Sequence, residues 1–249
     1  MLVGSTNALC GKNGYATFTN MYIEHEWTHS DLGTPIALYA SQPLPQLKGR
    51  EPLLMMGGIH GDEPLGVHLA EKTLELLTED TTKPNPEYKL PWIVIPILNV
   101  DGFKANTRVN GRGVDLNRNY PSKSWAPGFE KERYNPGPSA ASEAEIKAVV
   151  GLIERLRPRI IIHCHSWKPM IVAAGDRAVP DAERLSRSSH YKVVPEIGYP
   201  TPGSLSQYGW ADNQIPVICI EEGDDTPREQ VWPNFQAGMR EIFLDASPR

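Results

Sequence analysis

Apolar runs bounded by turn residues punctuate the chain at Pro35–Ala40, Leu53–Ile59, Trp92–Leu98, Arg159–Cys164, Met170–Ala174 and Pro216–Ile220. Several are apolar on both faces, the pattern of central strands covered on either side in a largely parallel sheet. Between them the period lengthens to that of a helix. Leu65–Leu77 places Leu65, Leu69 and Leu76 on one stripe, and Ser142–Arg157 does the same with Ile146, Val149, Val150, Ile153 and Leu156. Ser142 stands three residues before Glu145, the spacing of a capping box, and Pro158 ends that pattern. A last helix is predicted near Gln236–Leu244. Strands alternating with helices predict an α/β sandwich in one domain, residues 1–249. The polar stretch Asn99–Gly137 is too poor in apolar residues to be core, and loops of that length inside compact domains are usually functional.

At 249 residues the chain can bury a full core, and its 40% hydrophobic and 22% charged content is ordinary for a globular protein. A formal net charge of -5 argues against a nucleic-acid partner, which asks for a basic face. No apolar run approaches the ~18 residues needed to span a bilayer, so no membrane partner is expected. Met1–Asn20 has no continuous apolar core and does not read as a secretory signal. The three cysteines, Cys10, Cys164 and Cys219, lack the spacing of a disulfide framework. Together these features predict a cytoplasmic location. They leave the oligomeric state open.

Chemistry enters with Gly57-Gly58-Ile59-His60-Gly61-Asp62-Glu63-Pro64, where an apolar run delivers a histidine and a glutamate to the mouth of a predicted helix. Catalytic zinc typically takes three protein ligands and keeps one position open. His60 and Glu63 can supply two of them. Pro64 disfavours the α conformation for Glu63 and so places it at the helix entrance. By itself this four-residue pattern reads more readily as a solvated loop with an incidental His and Glu. A third ligand is expected at another strand end, and Ile160-Ile161-Ile162-His163-Cys164-His165 offers two candidates. On a continuing strand His163 and His165 share a face, so periodicity alone does not choose between them.

A second apolar run, Val217–Ile220, ends in Glu221 and Glu222. A carboxylate desolvated there should have a raised pKa, suiting general acid–base work. Cations come from the polar loop, Arg108-Val109-Asn110-Gly111-Arg112-Gly113-Val114-Asp115-Leu116-Asn117-Arg118-Asn119. Arginine can grip a carboxylate through two parallel hydrogen bonds or stabilise a developing oxyanion. Arg112 is read as a solvated surface residue, whereas Asn117-Arg118, between Leu116 and Tyr120, sits where a side chain can be positioned.

These residues resemble the zinc carboxypeptidase family, in the family's order: His60-Gly-Asp-Glu63, Asn99-Val-Asp-Gly102, Gly113-Val-Asp-Leu-Asn-Arg-Asn119, Ile162-His163 and Ile218-Cys-Ile-Glu221. The resemblance implies a three-layer α/β/α sandwich around a mixed, largely parallel sheet, with one zinc ion per chain held by His60, Glu63 and His163. It further implies Arg108 as the group that polarises the scissile carbonyl, Asn117 and Arg118 as binders of a terminal carboxylate, and Glu221 as the base. Two further strings, Tyr134-Asn-Pro-Gly-Pro-Ser139 and Gly198-Tyr-Pro-Thr-Pro-Gly-Ser204, resemble a bacterial branch that cuts murein tripeptides between γ-D-glutamate and meso-diaminopimelate. On that likeness Tyr199 and Ser204 are expected to contact the substrate. Leu205 stands where members specific for basic residues carry an acid. The other readings are an N-acyl amino acid deacylase of the aspartoacylase type and a zinc-free module that binds wall peptides without cutting them.

Overall fold

The computed structural model describes residues 21–79 and 90–245. The expectations for Met1–Asn20 and Cys10 lie outside them. Eight strands, β1 (Tyr22–His29), β2 (Pro35–Ala40), β3 (Leu53–Met56), β4 (Trp92–Ile95), β5 (Ile160–Trp167), β6 (Met170–Ala174), β7 (Lys192–Val194) and β8 (Val217–Gly223), form one sheet in the order β1-β2-β4-β3-β5-β8-β6-β7. Its centre, β4-β3-β5-β8, is parallel, while β1–β2, β2–β4 and β8–β6 pair antiparallel. The mixed, largely parallel sheet expected from the sequence is therefore present.

Alternation along the central strands sends successive side chains to opposite cores. Leu53, Met55, Trp92, Val94, Ile160, Ile162, Ile218 and Ile220 pack on one face against α1 (Pro64–Glu79), α4 (Val179–Ser189) and α5 (Arg228–Arg240). Leu54, Met56, Ile93, Ile95, Ile161 and Val217 pack on the other against α3 (Ala144–Leu156), with Leu116, Tyr120 and Leu205 from the loops. This gives the three layers. The long polar stretch holds only a short helix, α2 (Val100–Ala105), and single helical turns at Leu116–Arg118 and Glu132–Tyr134.

Two local expectations are corrected. Ser142 does not cap α3: its hydroxyl donates to Glu143 Oε1 at 2.6 Å, and the Ala144 amide donates to Asp31 Oδ2 at 2.9 Å. The cap is thus supplied from the β1–β2 turn, which no local spacing could reveal. The last helix begins earlier than expected, at Arg228, and carries Pro233 inside it, and a wider helical turn over Glu241–Asp245 follows.

Parallel strands carry their C-terminal ends to one edge of the sheet, where crevices form. β3 ends at Met56, and Gly57–Glu63 follows it directly into α1. That loop lies so close to α2 that a Cβ on Gly61 would sit 2.0 Å from the Gly102 carbonyl carbon, so only glycine fits there. Asn99 ties the same layers together, donating to the carbonyls of Ile59 and Arg108 at 3.3 and 3.1 Å.

Candidate active site

His60, Glu63 and His165 converge at this edge. Glu63 Oε1 lies 2.8 Å from His60 Nδ1, Glu63 Oε2 lies 2.8 Å from His165 Nδ1, and the two Nδ1 atoms are 2.9 Å apart. All three side chains are buried. Burial alone would raise the Glu63 carboxyl, but His60 and His165 beside it hold it well below the ordinary carboxylate range. Two imidazole nitrogens and a carboxylate oxygen, mutually in contact and shielded from water, repel unless a cation or proton lies between them. This is the donor set of a three-ligand zinc site, so the residues fit the ion that the sequence implied.

The third member of this trio is His165, not His163, which corrects the sequence reading. β5 runs on to Trp167, two residues beyond His165. Both histidines do share a face, as alternation requires, but the strand end reaches Glu63 one pleat further along than His163. His163 stands behind, its Nδ1 2.9 Å from His165 Nε2.

The neighbouring strand supplies Glu221. In the β5–β8 ladder His163 pairs with Cys219 and His165 with Glu221. These four side chains therefore form a square on one sheet face. Burial, the dominant influence, raises the Glu221 carboxyl, with the His165 ring opposing it. Its one hydrogen bond among the described residues is the long contact from Cys219 Sγ, at 3.5 Å. Glu222 points to the opposite face, where Tyr191 Oη, Thr226 Oγ1 at 2.9 Å and the Gly223 amide at 3.0 Å all donate to it. Alternation thus separates a carboxylate facing the cavity from one absorbed by the fold.

The polar loop closes the other wall. Arg108 donates through Nε to Asp115 Oδ2 at 3.0 Å and through Nη1 to Glu63 Oε1 at 3.3 Å, with its guanidinium 5.4 Å over the Tyr134 ring. Arg118 is 6% exposed and lies 5.6 Å over the same ring, with Nη1 donating to the Asn117 carbonyl at 2.8 Å. It forms no ion pair among the described residues, so a buried cation faces the cavity with the carboxylate that influences it, Asp115, beyond ion-pairing distance. Asn117, which lines the cavity, accepts through Oδ1 from the Leu205 amide at 3.0 Å, and its Nδ2 makes no hydrogen bond among the described residues. Tyr199 is 43% exposed at the mouth, edge-on to Trp167 at 5.6 Å. Ser204 lines the cavity but is buried, its hydroxyl 3.2 Å from Thr201 Oγ1 and accepting from the Gln207 amide at 3.3 Å. These contacts hold its hydroxyl within the Thr201–Gln207 turn. Arg108, Asn117, Arg118, Tyr134, Tyr199 and Ser204 border one cavity of about 1580 Å³ together with the donor trio and Glu221, roomy enough for a short peptide.

Asp115, inside the Gly113–Asn119 string, carries no role in the sequence reading. It is fully buried, and its Oδ1 lies 3.1 Å from His60 Nε2 and accepts from the Asn117 amide at 2.9 Å. His60, Arg108 and Arg118 hold its carboxyl below the ordinary range against the cost of burial. Tyr134, under both arginines, is the second residue the pattern did not reveal. A carboxylate inside a specific loop string and an aromatic next to Asn-Pro-Gly were the only signals.

A trio of metal-type donors at the C-terminal edge of a mixed sheet, beside a buried glutamate and two arginines, is the arrangement of a metallocarboxypeptidase. The chain belongs to the zinc carboxypeptidase family, whose sequence model matches residues 28–220. It is 30% identical over 209 residues to murein peptide amidase A of Escherichia coli K12, covering 80% of each chain. To murein peptide amidase A of Vibrio campbellii it is 27% identical, covering 77% of this chain and 76% of that one. Among solved structures, murein-tripeptide amidase from Escherichia coli O157 superposes with a TM-score of 0.71 and 27% identity, over 91% of this chain and 93% of the other. Carboxypeptidase A of Helicoverpa armigera shares the fold, with a TM-score of 0.73 at 19% identity over 91% of this chain and 69% of that one. The chain is a hydrolase of the metallocarboxypeptidase and amidase class. No helix among the described residues is long and apolar enough to cross a membrane.

Proposed function

We propose that this protein hydrolyses the amide bond between γ-D-glutamate and meso-diaminopimelate in murein tripeptides, with one zinc ion held by His60, Glu63 and His165. The similarity to murein peptide amidases supports the substrate class. The observation that carries the reading within the site is the buried Arg118, unpaired among the described residues, beside the donor trio and Glu221. A cation in that state calls for an anion from the substrate, and a free carboxylate on the leaving residue meets the call.

When bound, zinc supplies Lewis acidity, polarising an amide carbonyl and making water nucleophilic near neutral pH. The protein's own groups do the rest. Arg118 and Asn117 bind the leaving residue's carboxylate and set the scissile bond against Glu221. Glu221, kept basic by its raised pKa, takes the proton of the attacking water and returns it to the departing amine. Arg108, fixed by Asp115 and Glu63, presents positive charge where the carbonyl oxygen becomes anionic. Tyr199 covers the mouth.

The test is product analysis by mass after incubating zinc-loaded protein with L-Ala-γ-D-Glu-meso-diaminopimelate, a peptide ending in Phe or Arg, and N-acetylaspartate. Release of meso-diaminopimelate from the first substrate is expected. Cleavage of only the ordinary peptide would remove the cell-wall assignment, and cleavage of only N-acetylaspartate would replace it with a deacylase.

A further inference from the structure

We infer that His163 is a positioning residue: its Nδ1 accepts the Nε2–H of His165, fixing the tautomer and ring orientation in which His165 offers Nδ1 to the metal. The inference rests on the zinc reading above and adds a residue to it.

His165 Nδ1 lies 2.8 Å from Glu63 Oε2 and 2.9 Å from His60 Nδ1, so it is the nitrogen that faces the ion and must be free of a proton. A neutral imidazole then carries its proton on Nε2. The nearest acceptor is His163 Nδ1 at 2.9 Å, with the two rings edge to face at 4.8 Å and 89°. For that nitrogen to accept, His163 must itself hold its proton on Nε2. Two tautomers are thereby locked in series. The companion ligand has the same arrangement with a different partner: His60 Nε2 lies 3.1 Å from Asp115 Oδ1. Each metal-facing histidine is therefore backed by one buried acceptor, a carboxylate on one side and an imidazole on the other.

Folding alone does not explain His163. It continues an apolar run, Ile160–Ile162, in the fully buried part of β5, and it is 1% exposed. Its Nε2 has no hydrogen-bond partner among the described residues. Leaving a buried donor unpaired is a cost that an aliphatic residue at this position would avoid. The one side-chain hydrogen bond His163 makes among the described residues is to His165, and it is the contact a metal-ligand histidine needs. Partners of this kind typically change metal affinity 10–100-fold when removed.

The experiment measures zinc dissociation constants by chelator competition for the full chain and for His163→Ala and His163→Asn. Ala removes the acceptor; Asn places an amide oxygen near the position of Nδ1. Ala is expected to weaken zinc binding about 10–100-fold and to shift the visible absorption of the cobalt-loaded protein. Asn is expected to restore both. Wild-type affinity in Ala, or an Asn variant as weak as Ala, overturns the inference. Should Ala fail to fold, nitrogen NMR of the zinc-loaded wild type decides: His163 protonated on Nε2 supports the inference, and protonation on Nδ1 overturns it. A wild-type chain that binds no zinc at all would instead remove the zinc reading, whereas tight zinc with indifferent variants removes this inference alone.

Discussion

At the scale of single residues, the site works by confining groups that water would otherwise keep apart. Glu63 stays ionised between two imidazoles, while Glu221, one strand away, is pushed toward its neutral form by burial. On the proposed mechanism, two carboxylates in one cavity thereby take different jobs, one to hold charge and one to exchange a proton. Replacing Glu221 with Gln keeps the shape and removes the proton acceptor. Turnover should fall about 10²–10⁴-fold while zinc content, measured by metal analysis, stays at the wild-type level. A fully active variant would show that another group is the base. Much of this was legible in the sequence, because His, Glu and Arg at the ends of apolar runs are too costly to bury without a use. The choice between His163 and His165 was not. A period of two gives both the same face, and only the point where β5 leaves the sheet decides which one meets Glu63. Asp115 was hidden for a related reason: its partner His60 is 55 positions away.

At the scale of elements, the six strands expected from apolar runs are all present; in β3, β4 and β8 burial on both faces writes a continuous signal, while β2 buries only alternate residues. β1 and β7 were missed, and their burial patterns show why: both are half-exposed strands at the sheet's two edges, with little apolar pattern to read. α3 shows a different limit. Its N-terminus is held by Asp31 from the β1–β2 turn, and Glu145, expected to complete a local box, is instead 1% exposed beside Asn110. Burial, opposed by a hydrogen bond from its own amide and reinforced by Asp31 and Glu143, raises the Glu145 carboxyl from 4.5 to about 7. The folded chain thus binds this proton more tightly than the unfolded chain. No penalty exists below pH 4.5; it grows as pH rises and is complete above about pH 7, so stability falls across that window. Glu145→Gln should flatten this dependence and gain about 3 kcal/mol at pH 8, with little change at pH 4.5. Urea midpoints at the two pH values check it, and an equal change at both would assign the effect to packing rather than charge.

At the scale of the molecule, the donor trio stitches together segments far apart in the chain. His60 and Glu63 lie between β3 and α1, His165 near the end of β5, and the backing carboxylate Asp115 in the polar loop. In the unfolded chain these groups do not meet, so an ion that needs all of them binds only the native state. By mass action, zinc at a hundred times its dissociation constant adds ~2.7 kcal/mol to stability. For a chain of this size that corresponds to a rise in Tm of roughly 5–10 °C. Stripping the metal with a chelator should lower Tm by this amount, and restoring zinc should recover it in a concentration-dependent way. Glu63→Ala breaks the trio at its one charged member and should abolish the zinc-dependent rise while leaving Arg118 and Glu221 in place. A shift that persists in Glu63→Ala would locate the stabilising ion elsewhere in the fold. Loss of the shift with the far-ultraviolet spectrum retained would tie the ion to the edge where β3 and β5 deliver their histidines.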